Sequence, residues 1–362
     1  MSVLFIGKRF YTNRDALREQ YGRIHQLPKH WAEAGIQTRL WLVDYHSRER
    51  VGRSHGLLEI ESTPVKTLAV AGRLFREWFH REDKPDVVVA SGDCYIGILG
   101  YRVARHLRAR FVFDVYDKYD EFGGYRALPG FDPFSFLLRK ADARLFASHA
   151  LMQRLQSRSG VDLPVLNGID VARFKPIDKR EARRALRLPA GATLVGYFGS
   201  LDLERGVTDL MAAVRQLRES GLEIELLLGG RLANDVDVAQ PGVRYVGNLG
   251  FENVPTALAC CDLLALPYRN SPYLDMASSC KIAEYIAVRR PIVATRTPNL
   301  VENFPLQAAQ LEGLLATPGD AVDLARVIRR QLASPMLVDM PLGMDWASIA
   351  QSVADGLSLR HA

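Results

Sequence analysis

The sequence is poor in cysteine and has no long apolar run. Its four cysteines, Cys94, Cys260, Cys261 and Cys280, form no C-x-x-C pair, and the adjacent Cys260 and Cys261 are poor partners for one another. They read as reduced thiols, which excludes a disulfide scaffold. No stretch approaches about 18 apolar residues without charge, so no membrane-spanning helix is expected. The opening MSVLFIGKRF meets charge too soon for a secretory signal, and the chain is expected in the cytoplasm or on the inner face of a membrane. An excess of one charge is missing too: 47 Lys plus Arg against 41 Asp plus Glu leave +6 over 362 residues, too weak to name nucleic acid as a partner. An anionic small molecule or an anionic membrane surface would be served equally well.

Several motifs are absent as well. LFIGKRFYTN stands where a dinucleotide-binding chain carries G-x-G-x-x-G, so a nicotinamide cofactor is disfavoured. There is no P-loop, no G-x-S-x-G elbow and no H-E-x-x-H, which removes the usual nucleotidase, hydrolase and zincin readings. Asp235 and Asp237 form a D-x-D in a loop with no third ligand, and the eight histidines show no ligand spacing. No metal or cofactor is expected.

What is present is two series of short apolar runs alternating with amphipathic stretches, the pattern of parallel sheets covered by helices. The first series has strands at Val3–Gly7, Thr38–Val43, Asp86–Ala90, Arg110–Asp114 and Leu145–Ala147. A helix is expected over Asp15–Ala34, interrupted by Pro28, with others at Tyr95–Leu107, Pro133–Lys140 and Ala150–Gln156. A break follows at Val161–Asp178, with prolines, Asn-Gly and no periodicity. The second series has strands at Thr193–Phe198, Glu223–Leu228, Val243–Val246, Asp262–Leu266 and Pro291–Ala294, with helices between them. The fold class is therefore α/β, with tandem Rossmann-like domains over residues 1–163 and 164–343 and a last helix, within 344–362, returning to the first. Ligands of such open sheets bind outside the carboxyl ends of the strands, so a site between the domains is expected.

The densest motif is Ser278–Glu302, SSCKIAEYIAVRRPIVATRTPNLVE. Ser278 and Ser279 precede a helix starting near Lys281 and can cap it, leaving free N–H groups beside a lysine for a phosphate. Glu284 falls one turn in on the Lys281 face, where a carboxylate can accept from two sugar hydroxyls. The bland alternative is an ordinary capped surface helix.

The run K-x-x-E-Y-x-A-x-x-x-P-I-V-A-T resembles the donor-binding signature of glycosyltransferase family 4, retaining enzymes of the GT-B fold. Other pieces agree in order: Asn167-Gly168-Ile169-Asp170, VGYFGSLDLERGV, LLLGG ending at Gly230, VRYVGNLGFENVP, ACCDLLALPY and Asp345-Trp346. The resemblance is close over Leu163–Trp346 and looser before it. It implies a nucleotide-diphosphate sugar as co-substrate, with Glu284 on the ribose and Lys281, Ser279 and Cys280 at the pyrophosphate. Arg205 stands where the family has the lysine of a Lys-Gly pair and would be a second pyrophosphate cation, near Gly199. The base would lie near Val246, Gly247 and Asn248. Ser200 replaces the arginine of the usual G-R-L element. The first acid of the family's paired-Glu motif falls on Met276, with Asp275 one position away to take the donor-sugar hydroxyls.

In the first half, Asp114 and Asp117 lie in FDVYDKYDEF at a strand end, and one or the other is expected to contact acceptor or donor sugar, both counted as catalytic candidates with Lys281 and Arg205, against the plainer reading of a surface loop. Tyr21 and Gly22 could line the acceptor site, against the plainer reading of an ordinary helix turn. Arg48, Arg50 and Arg53, and GRLFREWFHRED with Leu74, Phe75, Trp78 and Phe79, interleave basic and aromatic residues as a membrane-surface helix would. A solvated cationic helix is the alternative. The expected activity is retaining transfer of a sugar from a nucleotide-diphosphate donor to a glycan or lipid-linked acceptor, as in cell-surface polysaccharide or glycolipid assembly. A nucleotide-sugar epimerase or hydrolase, and a degenerate member that binds without turnover, are its rivals.

Overall fold

A computed structural model describes residues 1–11, 14–47, 49–65, 84–121, 124–127, 129–156 and 159–359. The chain divides into two compact units, Met1–Gly168 with Gly343–Ala362, and Ile169–Leu342. The candidate membrane stretch with Leu74, Phe75, Trp78 and Phe79, and Arg48 before it, lie outside the described residues.

In the first unit the described elements are β1 (Ser2–Lys8), β2 (Phe10–Tyr11), β3 (Arg14–Asp15), α1 (Arg23–Glu33), β4 (Gln37–Asp44), β5 (Val51–His55), β6 (Leu58–Pro64), β7 (Val87–Ser91), α2 (Cys94–Leu107), β8 (Arg110–Val115), α3 (Pro133–Lys140), β9 (Ala143–Phe146), α4 (His149–Leu155) and β10 (Val161–Pro164). They build a sheet in the order β10-β9-β8-β7-β1-β4-β6-β5. Every pairing is parallel except β5 on β6. Strands covered on both faces must be apolar throughout, and Val3, Leu4, Phe5 and Ile6 of β1 are all buried.

Three expectations change here. The helix expected from Asp15 starts only at Arg23, because buried Arg9 binds Asp15 (3.0 Å) and Asp44 (2.9 Å) and closes a β2–β3 hairpin over the end of β1. The Asp15 carboxylate then accepts from Leu17 N at 2.9 Å, and Gly22, at φ 74, opens the helix. That helix runs through Pro28 without interruption, anchored by Trp31, which is fully buried and donates from Nε1 to the Ala350 carbonyl at 2.9 Å. The break read from Val161 contains β10, and residues 164–168 stay with the first unit. Val165 N extends the strand by donating to Phe146 O at 2.7 Å, and a Cβ on Gly168 would sit 2.8 Å from Trp346. The helix Trp346–Gly356 closes this unit's core through Ile349, Val353 and Leu357.

His25, on α1, is 3% exposed, and its Nδ1 has no partner among the described residues. Burial, with Lys29 adding to it, depresses the imidazole to about 4. The unfolded chain therefore binds the extra proton first, and this stability is complete above about 6.5 and lost as pH falls toward 4. Relative to a His25→Gln variant, the protein is expected to lose about 2.5 kcal/mol of unfolding free energy between pH 7.5 and 4.5, measured by urea titration at each pH. A flat difference would show that the imidazole finds a proton acceptor in the fold.

The second unit has α5 (Lys179–Ala185), β11 (Thr193–Phe198), α6 (Val207–Glu219), β12 (Ile224–Gly229), β13 (Val243–Tyr245), α7 (Val254–Ala259), β14 (Leu263–Leu266), α8 (Pro272–Met276), α9 (Lys281–Ala287), β15 (Ile292–Thr295), α10 (Pro298–Val301), α11 (Pro305–Gln310), β16 (Leu315–Ala316) and α12 (Ala321–Ala333). Its sheet is parallel, in the order β13-β12-β11-β14-β15-β16. The order reverses at β11 here and at β1 in the first unit, and ligands of open parallel sheets gather at the carboxyl ends of such strands. Among the described residues no helix is long and apolar enough to cross a membrane.

Candidate functional site

At the carboxyl end of β11 the backbone is drawn tight by glycines. Gly199 N donates to Gly229 O at 2.9 Å, and Gly230 N to Gly247 O at 2.8 Å. Gly230 has φ 133, and a Cβ there would lie 1.8 Å from the Gly199 carbonyl oxygen, so no other residue fits without moving backbone. Gly199, Ser200, Val246, Gly247 and Asn248 are thereby gathered at one end of the sheet.

Helix α9 is pinned to the same place, because the buried Tyr285 hydroxyl accepts from Phe198 N at 3.1 Å. This brings Lys281 against the turn, where a Cβ on Gly199 would come within 2.5 Å of Lys281 Cε. Glu284, one turn on, is 9% exposed, and its Oε1 accepts from the Cys280 thiol at 3.3 Å. The Ser279 hydroxyl accepts from Lys281 N, the first N–H of the helix, at 3.4 Å, in keeping with the capping role expected of it. The N-cap position itself is Cys280, with no side-chain hydrogen bond, and the same Ser279 hydroxyl sits 3.1 Å from Tyr268 OH. A seven-residue helix supplies little field of its own, so the positive charge of the site belongs to side chains.

Those side chains are Lys281 and Arg205. The Tyr268 hydroxyl holds the Lys281 ammonium above its ordinary value, against burial and the repulsion of Arg205. Burial works against the Arg205 charge, but Tyr197, Asp202 and Tyr268 outweigh it. Its guanidinium donates to Asp202 at 2.5 Å. Gly206, at φ 65, would put a Cβ 1.8 Å from Pro267 O, so the loop carrying Arg205 lies directly on the end of β14. Sequence reasoning missed Tyr197, Tyr268 and Tyr285; LPY at the end of the β14 run was the available signal for Tyr268. Asp275 lies on α8, with Oδ1 buried and unpartnered among the described residues, and burial raises its carboxyl.

In the first unit the two expected acids part company. Asp114 is fully enclosed, accepting from Arg23 Nη1 at 3.0 Å and from Ser91 Oγ at 2.6 Å. This corrects its assignment as a catalytic residue: with no exposed atom and both oxygens engaged it cannot touch a substrate, and it holds Arg23. Burial raises its carboxyl, while Arg23 and Ser91 pull it back. Asp117, partly exposed, accepts from the Tyr11 hydroxyl. Burial lifts its carboxyl to about 6, with Tyr11 and Arg23 opposing. Tyr11 stacks on Tyr116 at 4.8 Å, and both line a small cavity with Arg14, Tyr21 and Gly22. No group of three or more His, Cys, Asp or Glu among the described residues could hold a metal ion.

Residues 192–334 match the family model of Glycosyl transferases group 1. The chain is 25% identical over 205 residues to 2-deoxystreptamine glucosyltransferase of Streptomyces kanamyceticus, covering 53% of this chain and 51% of that one. It thus spans about half the length of the curated relatives it matches first. Among solved structures, sucrose-phosphate synthase from Thermosynechococcus elongatus superposes with a TM-score of 0.71 at 18% identity, covering 99% of this chain and 97% of that one. Anabaena HepE, in complex with UDP and glucose, superposes with a TM-score of 0.68 at 16% identity over 99% of both chains. The fold is GT-B.

Proposed function

We propose that this chain, with a group 1 glycosyltransferase match in its second unit, is a retaining glycosyltransferase that moves a sugar from a nucleotide-diphosphate donor to a glycan or lipid-linked acceptor. The supporting observation is Lys281 against the glycine turn at the end of β11, with Arg205 sharing its tyrosine surroundings and Glu284 one buried turn away. HepE carries UDP and glucose on the same fold, which fits a nucleotide sugar.

In this reading the Glu284 carboxylate accepts from the ribose hydroxyls, Asp275 from the donor sugar, and Val246, Gly247 and Asn248 border the base. Ser278, Ser279, Cys280, Gly199 and Ser200 shape the pyrophosphate site. The bond from the anomeric carbon to phosphate oxygen breaks as the acceptor oxygen bonds to that carbon on the same face. The acceptor's proton passes to the departing diphosphate. Negative charge grows on that leaving group, and two preorganised cations lower the barrier by meeting it there. On the acceptor side, Asp117 with Tyr11, Tyr21 and Gly22 offers a carboxylate and phenol surfaces for sugar hydroxyls and ring faces.

The test incubates the protein with UDP, GDP, TDP and ADP sugars and reads released nucleotide with and without glycan or lipid-linked acceptors. Release that requires acceptor, with product of retained anomeric configuration by NMR, is expected. Release without acceptor would favour hydrolysis or epimerisation, and binding with no release a degenerate member. Glu284→Ala is expected to weaken donor binding at least about tenfold, the cost of losing hydrogen bonds to a charged group; unchanged binding would remove Glu284 from the donor site.

A further inference from the structure

The amino ends of the second sheet border a space that the transfer reaction does not use. The donor candidates around Gly199 and Lys281 lie at the carboxyl end of β11, whereas a cavity of about 760 Å³ lies at the other edge, where β11, β12, β14 and β15 begin. Thr193 and Ile224, paired at the starts of β11 and β12, line it, with Leu222 before β12 and Leu332 at the end of α12. The turn after α12 is fixed by buried Gln331, which donates to the Ile292 carbonyl at 3.0 Å and exchanges two bonds of 2.9 Å with the Met336 backbone, so Pro335 is held as part of the wall. The volume falls within the roughly 300–1,000 Å³ of small-molecule sites.

Its two ends differ in charge. At the starts of β14 and β15, Asp262 accepts from Lys179 at 2.5 Å and from Arg183 and Leu194 N at 2.7 Å each, which engages both of its oxygens. Asp178 is spent capping α5 through Glu181 N at 2.9 Å. Arg290, in the same wall, meets no carboxylate among the described residues: Nε and Nη2 donate to the Ala259 carbonyl at 3.1 and 2.8 Å, and Nη2 also to Ile177 O at 3.0 Å. Its Nη1 reaches only the Arg289 carbonyl, at 3.3 Å. Burial pulls this guanidinium below its ordinary value, with Asp262 and Asp178 opposing. Lys179, Arg183 and Arg290 thus outnumber the two acids beside them. Glu223 stands apart, before β12, with β11 and β14 between it and the strand that Arg290 leads into. Neither its exposed carboxylate nor the Thr193 hydroxyl has a partner among the described residues. A structural ion pair accounts for Asp262, but not for an arginine held by carbonyls alone or for a carboxylate and a hydroxyl left over across the cavity. Guanidinium and ammonium groups suit a phosphate, a carboxylate and a hydroxyl accept from sugar O–H groups, and Leu222, Ile224 and Leu332 offer apolar surface to a sugar's C–H faces. Inorganic phosphate would make no use of Glu223.

We propose that this cavity binds a sugar phosphate, its phosphate on Arg290 and Lys179 and its sugar hydroxyls on Glu223 and Thr193. Because the cavity and the donor candidates lie at opposite strand ends, this site and the donor site can each fail alone.

Glucose 6-phosphate and fructose 1,6-bisphosphate are titrated into the full chain by calorimetry, with and without UDP, GDP, TDP and ADP, and glucose and inorganic phosphate are titrated beside them. Saturable binding of at least one sugar phosphate with Kd below about 1 mM is expected, unchanged by the nucleotides and by Glu284→Ala, and tighter than that of glucose or inorganic phosphate. Arg290→Gln should weaken it at least about tenfold, the cost of a lost hydrogen bond to a charged group. Since Arg290 also fastens Ile177 and Ala259, a second variant leaves every charge in place: Leu332→Trp, at a half-buried position, fills the cavity and should abolish binding while melting as the parent does. Glu223→Gln should weaken the sugar phosphate and not inorganic phosphate. Parent-like binding by Arg290→Gln or by Leu332→Trp, displacement by a nucleotide, equal binding of inorganic phosphate, or no binding of either sugar phosphate would each overturn the proposal.

Discussion

Lys281→Ala is expected to lower turnover by about two to three orders of magnitude, the usual cost of removing one preorganised group that meets developing negative charge. Donor affinity should fall far less, because the charge that Lys281 answers grows as the sugar–phosphate bond breaks. The argument rests on position. The lysine side chain lies over the Gly199 turn, where a Cβ would crowd it, and neighbouring Tyr268 favours its charged form. Folding should be little affected, with a stability change under about 1 kcal/mol, since the residue is partly exposed and its neighbour Arg205 is also cationic. Steady-state kinetics on the best donor of the panel would check the split between kcat and KM. A loss of less than about tenfold in kcat would assign the leaving group's charge to Arg205 or elsewhere.

Asp114→Ala is expected to destabilise the protein by about 3–5 kcal/mol, because it leaves the Arg23 guanidinium charged and unpaired where neither partner is exposed. Arg23 also donates to the Val165 carbonyl and lies 4.8 Å from the Tyr116 ring, so its displacement loosens the end of β10 and the floor beside Asp117. Replacing both charges, Asp114→Ala with Arg23→Met, should recover much of the loss, since burying neither charge removes the desolvation cost. Urea unfolding of the two single variants and the double gives the coupling directly. A single variant that kept its stability but lost turnover would return Asp114 to the reaction.

The strands were legible because a strand covered on both faces must be a short run of Val, Ile, Leu and Phe. Val87–Ser91 and Thr193–Phe198 have no other reading once turn residues bound them. The edge hairpin was not legible for the converse reason: Arg53, Ser54 and His55 of β5 are exposed, so nothing apolar marks the strand. The hairpin at Phe10–Asp15 depends on a buried arginine meeting an acid 35 residues away, which no local window contains. The site divides in the same manner. Lys281 and Glu284 share a helix face, so their spacing suffices to pair them. Tyr285 and Phe198 are 87 residues apart, and Arg23 and Asp114 are 91 apart, so their contacts arise only once the sheets have formed. Acids at the end of a strand were expected to face a ligand; Asp117 remains a candidate, and Asp114 turned inward because an arginine from α1 reached it.

The bond from Trp31 to the Ala350 carbonyl spans 319 residues. A chain emerging from the ribosome amino end first would have made nearly everything else before the helix Trp346–Gly356 could seat, while Trp31, Leu27 and Ile24 waited uncovered. Folding is thus ordered backwards: the middle of the chain can finish while its beginning cannot, and long-range closure of this kind is slow and exposed to aggregation. A fragment ending at residue 168 would lack that covering helix, so separating the two units requires a circular permutation or a grafted helix rather than a cut.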